Sequence, residues 1–112
     1  MEFAQYQTKA YDTAIYPDEI AIVYLTLGLA SEAGEVAGKI KKILRDSPPE
    51  EYADVLDKSK AALSEEIGDV LWYAANLATE LGLDLSAIAQ SNLHKLQSRK
   101  ERGVLSGSGD SR

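Results

Sequence analysis

The chain has 112 residues, 45% of them apolar, no cysteine and a formal net charge of -6. That length fits one compact domain and leaves no room for two, and the lack of cysteine rules out disulfides and thiolate–metal sites. The acidic balance argues against a nucleic-acid polymer as partner, because such binding draws on basic surface facing phosphates; a small phosphorylated ligand held by local cations and metal stays open.

Few strand signals appear, and the segments between breakers carry helical periodicity. The first helix is expected from Glu2 to Ile15, with Phe3, Tyr6, Ala10 and Ala14 on one face. Pro17 interrupts it, and Asp18 and Glu19 suit the start of a second helix, where the helix dipole favours acids. That helix runs to about Arg45. Ser47-Pro48-Pro49-Glu50-Glu51 then reads as a cap, a first-turn proline and early acids. A third helix extends to about Leu81, with a candidate break near Asp57 to Ser59, and Gly82 is its stop. Asp84 or Ser86 caps a fourth helix that ends at Gly103. The expected fold is therefore all-α, an antiparallel bundle of about four helices with short connections. The domain spans residues 1–105, and the Ser/Gly-rich residues 106–112 are a flexible tail.

The N-terminal residues Met1-Glu2-Phe3-Ala4-Gln5 lack the basic and apolar regions of a signal peptide. The longest apolar stretch, Ile20 to Ala30, is about half of a membrane span. The expectation is a cytoplasmic protein with no membrane partner. Because a chain of this size buries only a modest core, a homo-oligomer is a natural supplement.

The chemistry-bearing residues lie on the second and third helices. Glu32-Ala33-Gly34-Glu35-Val36 and Glu66-Ile67-Gly68-Asp69-Val70 are nearly the same phrase: acid, small or apolar, glycine, acid, valine. An i, i+3 spacing puts both acids of each phrase on one helix face. If the helices pack antiparallel, four carboxylates converge, and they repel one another unless cations sit among them. Hard divalent ions such as Mg²⁺ take oxygen ligands of this kind. The bland alternative is that these are four of the chain's 18 acids on solvated faces. Placement argues against it. Glu32 falls in line with Leu25, Leu29 and Val36, and Glu66 lies between Leu63 and Val70; acids on an apolar face are costly unless paired or metal-bound. Gly34 and Gly68 fit the same picture, as positions where missing side chains let backbones approach or admit a ligand. Gly28, Gly34, Gly38 and Gly68, each costing about 1 kcal/mol relative to alanine inside a helix, argue against the alternative of a purely structural coiled coil.

Continuing along the acid-bearing faces gives Lys39 and Lys42 on the second helix and Tyr73 and Asn76 on the third. The fourth carries Asn92, Lys95, Arg99 and Arg102 at helical spacing. Metal and acids at one end with these cations and amides nearby suit a polyphosphate; the competing role of the basic residues is to complement helix C-termini. His94, the one histidine, has no ExxH partner, so the paired motifs of di-iron bundles are absent. Trp72 is read as a packing residue. Neither a Ser–His–Asp set nor a GxxxxGK[ST] loop is present. A base-selecting pocket cannot be assigned from these patterns; Phe3, Tyr6, Trp72 and Tyr73 are the aromatic candidates.

Gly28-Leu29-Ala30-Ser31-Glu32-Ala33-Gly34-Glu35-Val36, followed by Lys39 and Lys42, resembles the first metal-binding helix of the MazG-like all-α NTP pyrophosphatases. Leu63-Ser64-Glu65-Glu66-Ile67-Gly68-Asp69-Val70-Leu71-Trp72-Tyr73 resembles the second, giving the family's ExxE…ExxD signature, and Asn92-Leu93-His94-Lys95-Leu96 with Arg99 and Gly103 is similar to its C-terminal helix. The resemblance covers roughly residues 20–103. It implies a homodimer or homotetramer and Mg²⁺-dependent cleavage of a (deoxy)nucleoside triphosphate to monophosphate and pyrophosphate, with Mn²⁺ as a substitute metal. It implies Glu32, Glu35, Glu66 and Asp69 as metal ligands, Glu35 or Glu32 as the carboxylate that orients or deprotonates water, and Lys39, Lys42, Asn92, Lys95 and Arg99 as phosphate or sugar contacts. Three other readings stay beside it: a helical module that binds nucleotide or metal without turnover, a structural or partner-binding helical bundle, and a related phosphohydrolase acting on phosphoribosyl-ATP or an alarmone.

Overall fold

The computed structural model describes all residues 1–112 and contains helices without strands. In chain order they are α1 (Phe3–Tyr11), α2 (Ala21–Asp46), α3 (Tyr52–Lys58), α4 (Lys60–Glu80) and α5 (Leu85–Glu101), with short 3-10 turns over Asp18–Ile20 and Pro49–Glu51. The all-α expectation holds, with five helices in place of about four. The break expected near Asp57 to Ser59 divides the third predicted helix into α3 and α4; Ser59 turns its hydroxyl onto the Val55 carbonyl at 2.8 Å.

α1 is shorter than the periodicity predicts. It stops at Tyr11 because Thr13 and Ala14 bond back to the Ala10 and Tyr11 carbonyls three residues earlier, a tightening that ends the helix; the Thr13 hydroxyl also takes the Ala10 carbonyl. The other ends follow their signals. Gly82 stands at φ +71° after α4, and the Gly82 and Leu83 amides bond to the Thr79 and Ala78 carbonyls, so a residue free to adopt the left-handed conformation closes the helix. Asp84 caps α5 by accepting from the Ser86 amide at 3.1 Å.

The framework is the antiparallel pair α2–α4, on which α1 lies across the C-terminal half of α4. Leu25 of α2 and Ala75 of α4 are fully buried. Aromatic rings fasten the α1–α2 connection to this pair: Tyr16 stacks on Tyr24 at 5.7 Å between centroids and meets the edge of Trp72 at 6.4 Å. The Tyr16 hydroxyl donates to Glu80, and the Trp72 indole N–H donates to the Thr13 hydroxyl at 2.7 Å, so Trp72 packs as expected. Gln7, which no sequence pattern singled out, ties α1 to the α4–α5 turn. Its amide donates to Thr79 and to the Leu83 carbonyl, and its oxygen accepts from the Leu85 amide.

The apolar run Ile20–Ala30 belongs to a longer element: Asp18–Asp46 is long and apolar enough, by length and composition, to cross a membrane, at a mean hydropathy of 1.4 over its most apolar window. Within the fold α4 lies along it, and it carries Glu32 and Glu35 mid-helix. The tail after Gly103 folds back onto α5. Arg112 donates to the Val104 and Leu105 carbonyls, and Arg102 donates to the carbonyl of Arg112.

Candidate metal centre

The site is built on the facing stripes of α2 and α4. Leu25, Leu29, Val36 and Ile40 recur at helical spacing, so α2 turns that stripe to α4, and Glu32 comes with it. The same holds for Glu66 between Leu63 and Val70. Carboxylate oxygens of Glu32, Glu66 and Asp69 lie within 4.8 Å of one another; Glu32 and Glu66 are half-buried and Asp69 is exposed. Three of the four predicted ligands are therefore together. Glu35, three residues from Glu32, stands exposed beside the group and adds its charge to the field at Glu32.

Electrostatics follow from this crowding. The Glu32 carboxyl is held above its ordinary value of 4.5, first by desolvation, then by a hydrogen bond with Glu66 and by the charges of Asp69, Glu66 and Glu35. Acids this close cannot all ionise without a counter-charge. One is supplied by Lys39, whose ammonium sits 3.6 Å from Glu66. A divalent cation is the other natural solution, and an all-oxygen donor set with one acid open to solvent fits Mg²⁺ or Mn²⁺.

The remaining predicted contacts are distributed differently. Lys42 is exposed on α2. Tyr73 is not free to meet a phosphate through its ring face: the ring lies against the backbone of α2 at Gly28. Asn76 is a correction, being completely buried; its amide donates to the Ala10 and Trp72 carbonyls in the α1–α4 contact, and α1 seals it from any substrate. Asn92 and Lys95 line a shallow basin of 340 Å³ on α5 with Ile88 and Ser91. Arg99 is covered by the folded tail, donating to the Asp110 carbonyl at 2.9 Å. Gly34, Gly38 and Gly68 are not points of close helix approach, since a Cβ there would meet open space; of the helix-interior glycines only Gly28 is a close approach. Tyr24, two turns before Glu32, is a neighbour that the sequence reading passed over. Of the aromatic candidates for a base pocket, Phe3 and Tyr6 line an apolar hollow of 210 Å³ with Met1, Glu2 and Leu71.

The antiparallel pair α2–α4 thus carries ExxE and ExxD and draws three of their four acids into one oxygen-rich cluster. The profile of the MazG nucleotide pyrophosphohydrolase domain matches residues 23–104, which takes in the whole of this cluster, and the chain belongs to that family. It is also similar to the "Gene 37 protein" of Mycobacterium phage L5, at 50% identity over 113 residues and covering 96% of each chain. No solved structure matches it.

Proposed function

We propose that this protein hydrolyses a (deoxy)nucleoside triphosphate to the nucleoside monophosphate and pyrophosphate in a Mg²⁺-dependent reaction. The observation that carries the reading is the convergence of Glu32, Glu66 and Asp69 within 4.8 Å, inside the segment that matches the pyrophosphohydrolase domain. In the overall reaction water adds across the anhydride between the α- and β-phosphates; the bond between them breaks and one phosphoryl group gains the hydroxyl. When bound, the metal supplies charge neutralisation on the phosphate oxygens and a more acidic water.

The chain's own residues divide the remaining work. Glu32, Glu66 and Asp69 would hold the metal. Glu35, close to them yet outside the cluster and open to solvent, is the carboxylate that accepts the proton of the attacking water. Lys39 shares Glu66 and, with Lys42, offers positive charge to the departing pyrophosphate. Asn92 and Lys95 face outward on α5 rather than toward this cluster, and they serve the acids of a second copy in a homodimer or homotetramer. The hollow between Phe3 and Tyr6 is the apolar surface offered to the base. Tyr6 at its edge has a hydroxyl raised above its ordinary value by burial and then by the charge of Asp69, which supports a place near the acids.

The test is to incubate the protein with each common NTP and dNTP, with Mg²⁺ or EDTA, and to resolve products by ion-exchange chromatography. Monophosphate plus pyrophosphate, lost with EDTA, is expected. Glu35→Gln should lower kcat by about 100-fold or more, the usual worth of a general base, and Asp69→Asn should abolish turnover, both with helicity intact by circular dichroism. Full activity in both variants would sink the assignment.

A further inference from the structure

We propose that Gly28 and Tyr73 form a spacer between α2 and α4 that sets the separation of the metal-binding carboxylates one helical turn away, which makes Tyr73 a positioning residue. This rests on the metal-dependent reading above. The first observation is steric. A Cβ built on Gly28 would overlap the Cε1, Cδ1 and Cζ atoms of Tyr73, whereas a Cβ at Gly34, Gly38 or Gly68 would meet nothing within 4 Å. Gly28 is thus the one helix-interior glycine whose missing side chain is filled by another residue, and the ring rests directly on the α2 backbone.

The second observation is that the ring is held on further sides. Tyr24 lies 6.2 Å away at a tilt of 45°, and Trp72 meets it edge-on at 5.0 Å. A ring fixed in this way is a rigid shim, unlike an aliphatic chain that can change rotamer. The third is register. Glu32 is four residues beyond Gly28 and Asp69 four before Tyr73, so on antiparallel helices both acids sit about 6 Å from the shim along the axis. A change in thickness at the shim therefore changes the gap between Glu32 and the Glu66–Asp69 side, and metal–oxygen distances tolerate only tenths of an ångström.

Mn²⁺ alone is the probe, its free concentration followed by electron paramagnetic resonance, on the full chain and on Gly28→Ala, Tyr73→Leu, Tyr73→Phe and the Gly28→Ala/Tyr73→Leu double variant. Either of the first two should weaken Mn²⁺ binding by tenfold or more with α-helical circular dichroism retained. Tyr73→Phe keeps the ring and should stay within threefold of wild type. In the double variant the added methyl replaces part of the lost thickness, so its affinity should exceed that of at least one single variant. This rescue is what a general loss of packing would not produce. Should Gly28→Ala not fold, Tyr73→Leu and the double variant carry the same comparison. Wild-type Mn²⁺ affinity in Tyr73→Leu, or a double variant weaker than both singles, overturns the spacer. A wild-type protein that binds no Mn²⁺ overturns the metal reading itself.

Discussion

Among single residues Glu32 concentrates the conflict between fold and function. Its carboxyl is raised from 4.5 by desolvation, by Glu66 and by the neighbouring acids. A raised carboxyl binds more protons in the folded than in the unfolded state. Its contribution to stability is then fully present below about 4.5 and falls as pH rises through the folded value. A bound divalent cation would reverse this, because it would take the ionised cluster and stabilise only the folded chain. The expected outcome is a metal-free melting temperature that, as pH rises from about 4.5, falls relative to that of Glu32→Gln, and a Mg²⁺-induced rise in the wild-type Tm that is larger at pH 8 than at pH 5. Differential scanning calorimetry with EDTA or Mg²⁺ at the two values checks it; an equal Mg²⁺ shift at both would show that proton and metal do not compete at this cluster. The conflict was legible in the sequence as an acid in line with Leu25, Leu29 and Val36. Its sharing with Glu66 was not, since only the register of α2 against α4 brings those two side chains together.

Individual elements were legible where a local chemical signal marks them. The stop at Gly82, the cap at Asp84 and the break near Ser59 are each set by atoms within a few residues, which is why turn and cap chemistry predicts them. Periodicity failed at α1, because Ala14 continues an apolar face while Thr13 and Ala14 are already in a turn. It failed again at Asn76, where spacing from Glu66 gives the correct side of α4 for a site but cannot show that α1 crosses there. The crossing itself depends on Gln7. It makes three hydrogen bonds to the α4–α5 turn, partners 72 to 78 residues away in sequence, so no local pattern contains them. Gln7→Ala removes all three and leaves the Leu85 amide without its acceptor. A loss of about 1–3 kcal/mol in unfolding free energy is expected, seen as a lower urea midpoint with an unchanged slope. A loss below a few tenths would mean that water replaces these bonds freely.

At the scale of the whole molecule the single chain is open for its length. Its radius of gyration is 17.3 Å, against about 13 Å for a compact domain of this length. Its accessible surface is 7989 Å², against about 6,100 Å² for a monomer of its mass. Only eight residues are buried, while Val23 and Leu27 on α2, Ile67 on α4 and Leu93 on α5 are each more than half exposed. The surplus, roughly 1,900 Å² per chain, is of the order that an obligate interface removes from water. Val23, Leu27, Ala30 and Gly34 follow one another at helical spacing along the outer side of α2, and no side chain fills the space over Gly34, so a second helix can lie close there. The expected outcome is a solution mass of at least twice 12.2 kDa by light scattering, with a Tm that rises with protein concentration because folding and association are linked. Leu27→Glu places a charge on that face and should shift the mass toward a single chain, lowering Tm without touching Glu32, Glu66 or Asp69. If the Leu27→Glu protein keeps the wild-type mass, the outer face of α2 is not the interface; if the wild type is itself monomeric at every concentration, Asn92 and Lys95 have no second copy to serve and the phosphate contacts must come from Lys39 and Lys42 alone.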